Sequence, residues 1–330
     1  MAGSTPEERG GQHPEFRLLG PVSVLDGRTG AEIVPPGAKQ RALLAAFTVR
    51  AGRLLSVDEL TEELWGSAPP AGAGNALQAH VGRLRRLLPP PPADGAAGGG
   101  WISTLPTGYK LSLGPCDTDA RRFQRLSEQG RAAVAADPWQ AVAVLERALA
   151  LWRGPALQDS RCGPIGAREA DRLEESRLTA LETLYGARLR CAQHGEVIGE
   201  LERLTTGHPL RERFYDLLMV ALYRSGRQAE ALGVYERARR SLLTALGVEP
   251  GPALRARLEA VLNHLPALAC PDLPPRSAAA TASTADAARA PAAEELARLR
   301  RRLDALDREQ ASLARRFDAL TAPAGLPTPT

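Results

Sequence analysis

The sequence predicts an α+β winged helix-turn-helix domain, followed by an all-α tetratricopeptide-like domain and a C-terminal helix. Three observations predict it. Short β runs, three helical stretches and a hairpin follow one another through residues 15–115. Helical periodicity then continues almost unbroken from 117 to 265. Within it a tripeptide recurs, Leu201-Glu202-Arg203 and Tyr235-Glu236-Arg237, at the 34-residue spacing of tetratricopeptide repeats. A polar leader at 1–14 with the composition of disorder, a Pro/Ala/Ser/Thr linker at 266–291 and an amphipathic helix at 292–322 complete the expected plan.

Each element follows from local signals. Phe16-Arg17-Leu18-Leu19, Val22-Ser23-Val24-Leu25 and Glu32-Ile33-Val34, punctuated by Gly20-Pro21 and Asp26-Gly27, predict a small antiparallel sheet. A first helix begins at Gly37, carries Leu43, Leu44 and Phe47, and ends near Gly52. Ser56-Val57-Asp58-Glu59 is a capping box that starts a second helix with Leu60 and Leu64, stopping at Trp65-Gly66. After a Pro/Gly/Ala loop a third helix is expected over 74–88, ended by Pro89 and the prolines behind it. Residues 101–105 and 109–113 flank Pro106-Thr107-Gly108 as a hairpin.

Composition narrows the function classes. The 330 residues are 44% apolar and 24% charged, ordinary for a globular chain. No run of 18 apolar residues is present, which excludes a spanning helix. Four Cys do not make a disulfide scaffold, and the cytoplasm is the expected compartment. The net charge is only +4, and Lys occurs only at 39 and 110. Residues 1–114 hold 11 Lys/Arg and 10 Asp/Glu, and the acids Asp58, Glu59, Glu62 and Glu63 gather on the second helix. Any polyanion-binding footprint is therefore local, with few phosphate contacts.

The third helix carries the chemistry. At about 100° per residue, Leu77, Val81, Leu84 and Leu88 fall within roughly 60° of arc and form a buried stripe. Asn75, Gln78, Gly82 and Arg86 lie opposite, with Arg83 and Arg85 on the flanks. Amides pair with adenine edges and Arg with guanine or phosphate in a major groove. Gly82 and Ala79 add no bulk there, so the helix backbone could approach closely. Thr107, Gly108, Tyr109 and Lys110 are placed at the wing tip, where a polar or basic group meets phosphate or the minor groove. Two plainer readings stand beside these: a solvated helix face, and Tyr109 as a core ring under the hairpin.

A family resemblance appears on these residues. Phe16-Arg17-Leu18-Leu19-Gly20-Pro21, Gln40-Arg41-Ala42-Leu43-Leu44, Leu60 with Leu64-Trp65-Gly66, His80-Val81 with Arg83-Leu84-Arg85-Arg86-Leu87-Leu88, and Gly108-Tyr109-Lys110-Leu111 resemble, in order, the pattern of the Streptomyces antibiotic regulatory protein family. That resemblance implies an OmpR-type DNA-binding domain coupled to a bacterial transcriptional activation domain. It implies activation of secondary-metabolite operons through direct repeats in promoters, and makes 74–88 the recognition helix. It also implies that the loop after the second helix, with Gly66, Ser67, Ala68, Pro69 and Pro70, touches RNA polymerase. The stretch from Ala238-Arg239-Arg240 to Leu246-Gly247-Val248-Glu249-Pro250 is similar to the activation domain of the same family.

The helical middle breaks at Ala136-Asp137-Pro138, Arg153-Gly154-Pro155, His194-Gly195, Gly207-His208-Pro209, Ser225-Gly226 and 247–252. A third copy of the tripeptide, Leu145-Glu146-Arg147, lies 56 residues before Leu201-Glu202-Arg203 and implies about 22 extra residues in a long helix over 164–191. An ordinary helical bundle is the alternative. Near the C-terminus, Leu296, Leu299, Leu303, Leu306, Gln310, Leu313, Phe317 and Leu320 alternate in steps of three and four as a coiled-coil seam. In a parallel dimer Glu295 would meet Arg300, and Arg302 would meet Asp307, of the second copy. A helix folded back on its own domain is the alternative.

No Gly-x-x-x-x-Gly-Lys-Ser/Thr, His-Glu-x-x-His or Gly-x-Ser-x-Gly occurs. Cys191 and His194 could hold half a metal site, but no second pair at useful spacing exists. Cys116, Cys162 and Cys270 are plain residues, and His13, His80, His208 and His264 lack a nucleophile partner. No catalytic residue, cofactor or metal is expected, and no enzymatic activity. The expectation is a cytoplasmic, sequence-specific transcriptional activator. Its partners are promoter duplex DNA, RNA polymerase and a second copy of itself, with no membrane. The alternative is a helical-repeat protein-interaction module whose winged domain does not bind DNA.

Overall fold

The computed structural model describes residues 13–91, 100–160 and 163–268. The leader up to residue 12, Cys162, Cys270, most of the linker and the whole expected seam from Leu296 to Leu320 lie outside the described residues.

The first sheet forms from β1 (Glu15–Arg17), β2 (Ser23–Leu25) and β3 (Glu32–Ile33), paired antiparallel with Phe16 opposite Val24 and Val24 opposite Ile33. Leu18 and Leu19, expected as strand, leave the ladder, and their amides bond to a distant carboxylate instead. Helix α1 (Ala38–Val49) is buried along most of its length from Ala42 to Thr48. Strand β4 (Leu54–Ser56), not expected, leads into α2 (Val57–Trp65). Both arms of the capping box are made: Ser56 Oγ accepts from the Glu59 amide at 3.1 Å, and the Glu59 carboxylate accepts from the Ser56 amide at 2.8 Å. Helix α3 (Ala73–Leu87) buries Leu77, Val81 and Leu84. The hairpin β5 (Ile102–Leu105) and β6 (Gly108–Leu111) joins β4 in a second sheet of order β4-β6-β5.

Among the described residues seven helices follow: α4 (Asp119–Ala133), α5 (Pro138–Leu149), α6 (Pro164–Arg190), α7 (His194–Gly207), α8 (Glu212–Arg224), α9 (Gln228–Leu246) and α10 (Pro252–Leu262). Their ends fall at the Gly, Pro and Asp breaks. Thr118 and Asp137 cap α4 and α5 through their side chains, and α5, α6 and α10 start on proline, whose fixed φ suits the first turn. The leading residue of each tripeptide, Leu145, Leu201 or Tyr235, is buried. Arg237 reaches back one repeat to Glu202 at 2.7 Å.

The winged and helical parts do not have separate cores. Phe16, Leu43, Phe47, Leu77, Leu84 and Leu111 belong to one apolar cluster with Phe123, Leu145, Leu173 and Leu184. A second cluster gathers Tyr185 and Leu189 with Val197, Leu201, Phe214, Leu218, Val234 and Val261. Helix α6 therefore serves both. Polar contacts seal the first junction. The buried Asp119 carboxylate accepts from the amides of Leu18 at 2.7 Å and Leu19 at 3.0 Å, and from Arg153 Nη2 at 3.1 Å. Burial pushes this carboxyl above its ordinary value, against the pull of those three donors. Glu63 on α2, only 2% exposed, accepts from the amides of Gly163 at 3.0 Å, Ile165 at 2.7 Å and Gly166 at 3.0 Å. An acid from the winged part thus satisfies the orphan donors at the start of α6. Residue 163 must be glycine, because a Cβ there would sit 2.5 Å from Glu63 Cα.

Candidate nucleic-acid interface

Helix α3 packs through Leu77, Val81 and Leu84 on α1 and α2. Its other face carries Asn75, Gln78, Arg83 and Arg86, all exposed in the presence of the helical half. Gly82 is half-buried, and nothing lies within 4 Å of where its Cβ would be. No packing demand explains a glycine there. It leaves the backbone of the polar face bare, which allows close approach to a flat or grooved partner.

Arg85 sits apart from this set. Its Nε donates to the Ile102 carbonyl at 3.0 Å and its Nη2 to Thr104 Oγ1 at 2.8 Å, with the guanidinium 6.0 Å from the Tyr109 ring. Arg85 therefore ties the helix to the hairpin and fixes the angle between them. Thr107 is exposed in the two-residue turn, and its carbonyl accepts from the Val57 amide at 3.2 Å. Tyr109 and Lys110 are not at the tip. Tyr109 is buried, so the core-ring reading of it describes the structure, and Lys110 lies in the central strand opposite Leu54 and Ser103, half-buried. The hairpin turn is one residue shorter than the Pro106-Thr107-Gly108 turn read from sequence, since Gly108 already pairs with Leu105. Gly66, Ser67, Ala68, Pro69 and Pro70 are all exposed between α2 and α3.

Two groups of residues escaped the sequence reading. Lys39 places its Nζ 4.5 Å over the Trp65 ring, and His80 stacks obliquely on the same ring at 6.2 Å, a cluster at the root of the exposed loop. Burial, with Arg83 and Lys39 nearby, holds the His80 pKa below its ordinary value. Glu63, one of the four acids that gather on the second helix, is the cap on α6. No signal in the sequence distinguishes it from Glu62 except its place on the buried side of α2, next to Leu64.

Among the described residues no group of three His, Cys, Asp or Glu is arranged to hold a metal. No described helix is long and apolar enough to cross a membrane.

Comparisons with known proteins bear on the family and the fold. Residues 31–111 match the family described as transcriptional regulatory protein, C terminal, and residues 118–262 match the bacterial transcriptional activator domain. The chain is 44% identical over 257 residues to the transcriptional regulator RedD of Streptomyces coelicolor, covering 78% of this chain and 73% of RedD. It is 35% identical to the regulatory protein DnrI of Streptomyces peucetius, covering 77% of this chain and 94% of DnrI. The regulatory protein AfsR of Streptomyces coelicolor is 41% identical over 84% of this chain, which spans 26% of AfsR. The solved structure of Mycobacterium tuberculosis EmbR in complex with a low-affinity phosphopeptide superposes with a TM-score of 0.68 at 38% identity, covering 77% of this chain and 66% of that one. An exposed amide-and-guanidinium helix face beside a wing, on a chain with these relatives, places the protein in the Streptomyces antibiotic regulatory protein family of DNA-binding transcriptional regulators.

Proposed function

We propose that the chain activates a secondary-metabolite gene cluster by seating α3 in the major groove of direct repeats in its promoter and by recruiting RNA polymerase. Gln78 and Arg86, with Asn75 and Arg83, face the base edges and phosphates, and bare Gly82 lets the helix backbone lie close. Thr107 at the turn and Lys110 on the hairpin supply backbone contacts, and Arg85 holds the wing at its working angle. The exposed loop 66–70 is the polymerase contact. The leader, winged, helical, linker and C-terminal divisions expected from the sequence are kept in this reading, with the protein acting in the cytoplasm without enzymatic activity. The seam from Leu296 to Leu320 would pair two copies on adjacent repeats.

The observation that carries the proposal is the α3 face itself: apolar side inward, Gln78, Arg83 and Arg86 outward and uncovered. A mobility shift on the promoter segment at about 150 mM salt with competitor DNA tests it, because sequence-independent binding weakens steeply with salt. Arg86→Ala is expected to weaken binding by about 1–3 kcal/mol and relax preference at one base if it reads an edge. If it meets phosphate alone, the loss is uniform and the salt slope shrinks by about one. No change of either kind removes Arg86 from the interface. Sedimentation mass of a chain ending at 290 against the full chain tests pairing, and equal masses discard it.

A further inference from the structure

A groove runs along α6. Two adjoining cavities, of about 500 Å³ and 410 Å³, share Arg131 and Thr183 in their walls. Between Arg172 and Arg190, which line their far ends, α6 rises about 27 Å, the length of roughly eight extended residues. The larger cavity is walled by Arg131 from α4, Arg190 from α6, Arg213 and Arg224 from α8, and Arg257 from α10. Among the described residues two carboxylates face it, Glu182 and Asp216.

Those acids do not neutralise the wall. Glu182 is engaged by Arg211 at 2.5 Å, and Asp216 serves both Arg213 and Arg257 at 2.5 Å each. Arg190 donates to the neutral Val134 carbonyl at 3.2 Å, which fixes its direction without removing charge. The exposed Arg131 side chain has no hydrogen bond or ion pair to a described residue. The guanidiniums of Arg190, Arg213 and Arg257, held this way, have already lost much of their rotamer freedom, so a carboxylate arriving among them costs less ordering.

Two features point to an extended ligand. Gly186 sits one turn before the C-terminal end of the 27-residue α6, still inside the helix, where glycine costs up to about 1 kcal/mol relative to alanine. Its Cβ position meets only atoms at 4.0 Å, Arg213 Nη2 and Leu217 Cδ2, so packing does not demand it, and its bareness deepens the groove floor. The second cavity continues the trough along Ser127, Ser176, Thr179 and Thr183, with Arg172 and two carboxylates, Glu128 and the Arg211-paired Glu175, in its wall, and the buried Ser127 Oγ there has no partner among the described residues. The chain's own C-terminal part is poorly matched, since residues 292–322 hold seven Arg against six Asp and Glu.

We propose that this groove docks an extended acidic peptide segment of a separate protein, its carboxylates taken by Arg131, Arg190, Arg213 and Arg257. The test uses the full chain, immobilised with excess duplex DNA to occupy the α3 face, against a phage-displayed random dodecamer library. The selected peptides are expected to be enriched in Asp and Glu. The leading one, synthesised and labelled, should bind Arg131→Ala and Gly186→Leu at least tenfold more weakly, and Arg86→Ala as well as it binds the unchanged chain. Arg131 is exposed and has no partner among the described residues, so its variant keeps the fold, and retained operator binding by both groove variants checks this. Selection of no peptide, selection without acidic enrichment, or affinity unaffected by the groove variants overturns the proposal. So does loss in Arg86→Ala, which would place the peptide on the DNA face. Operator binding is measured separately, so failure here leaves the reading of α3 standing.

Discussion

The carboxylate of Glu63 is the sharpest place to test how the two halves are joined. Three amides of the α6 start converge on it, and it is almost wholly buried. Glu63→Ala removes all three bonds and the negative charge at a helix N-terminus. The Gly166 amide lies in buried surroundings and stays unpaired, at a cost of about 1–3 kcal/mol. The half-buried amides of Gly163 and Ile165 rehydrate in part, and the lost helix-dipole interaction adds up to about 2 kcal/mol in a partly buried site. A total near 3 kcal/mol follows, or a fall of roughly 6–12 °C in Tm for a unit of this size. Glu63→Gln, which keeps one acceptor oxygen and turns an amide group toward a donor, should lose about half of that. Guanidinium unfolding of the full chain gives the stabilities, and amide exchange at 163, 165 and 166 gives the local effect. An alanine variant within about 0.5 kcal/mol of the unchanged chain, with those amides equally protected, would refute the reasoning.

Gly108→Ala places a Cβ 1.9 Å from the Leu55 carbonyl oxygen, so β4 and β6 must separate; overpacking of this kind costs at least about 2 kcal/mol, and an unchanged Tm with unchanged exchange in β6 would contradict it. The Glu59 carboxyl is held below its ordinary value, first by the Ser56 amide and then by the Ser56 hydroxyl. Its contribution is therefore full above the unfolded value of about 4.3 and is lost as pH falls through the folded value. The stability gap between the unchanged chain and Glu59→Gln, read from urea midpoints, should shrink on acidification below about pH 4.5, and a pH-independent gap would exclude the capping role. Arg85→Ala should speed amide exchange in β5 and weaken operator binding equally for all sequences. A change in base preference, with the wing undisturbed, would make Arg85 a base reader instead of a wing anchor.

Periodicity made the helices legible because their ends are set locally, by Gly, Pro and capping side chains that act within a few residues. The α3 stripe was legible for the same reason, and Leu77, Val81 and Leu84 are buried as the 100° spacing demands. What escaped depends on partners far along the chain. Strand β4 is three residues long and exists because β6, over 50 residues later, pairs with Leu54, Leu55 and Ser56. Lys110 was placed at a tip by proximity to Gly108, yet the same pairing makes its strand central. Arg85 and Arg86 are neighbours of one type, and only the position of Thr104 across the hairpin separates an anchor from a free guanidinium. Glu63 needed a helix start 100 residues away to reveal its role.

These long-range contacts share a direction. The family match for the DNA-binding part begins at residue 31, but β1 and β2 lie before it and belong to the same core as α3. The Phe16 ring packs edge-on against Trp101 at 5.3 Å, while its amide donates to the Asp117 carbonyl at 3.2 Å, so one residue links the first sheet, the wing and the helical half. Helix α3 rests on α1 and α2, and α1 and α2 rest on α6. The platform beneath the exposed α3 face is thus partly made of the helical half. Cutting the chain at 115 would remove the partners of Phe16, Leu18, Leu19 and Glu63 together and expose apolar surface that no part of the winged fold can cover. In physical terms the unit that holds α3 in place extends through α6, and the same helix carries the arginine groove in its second half.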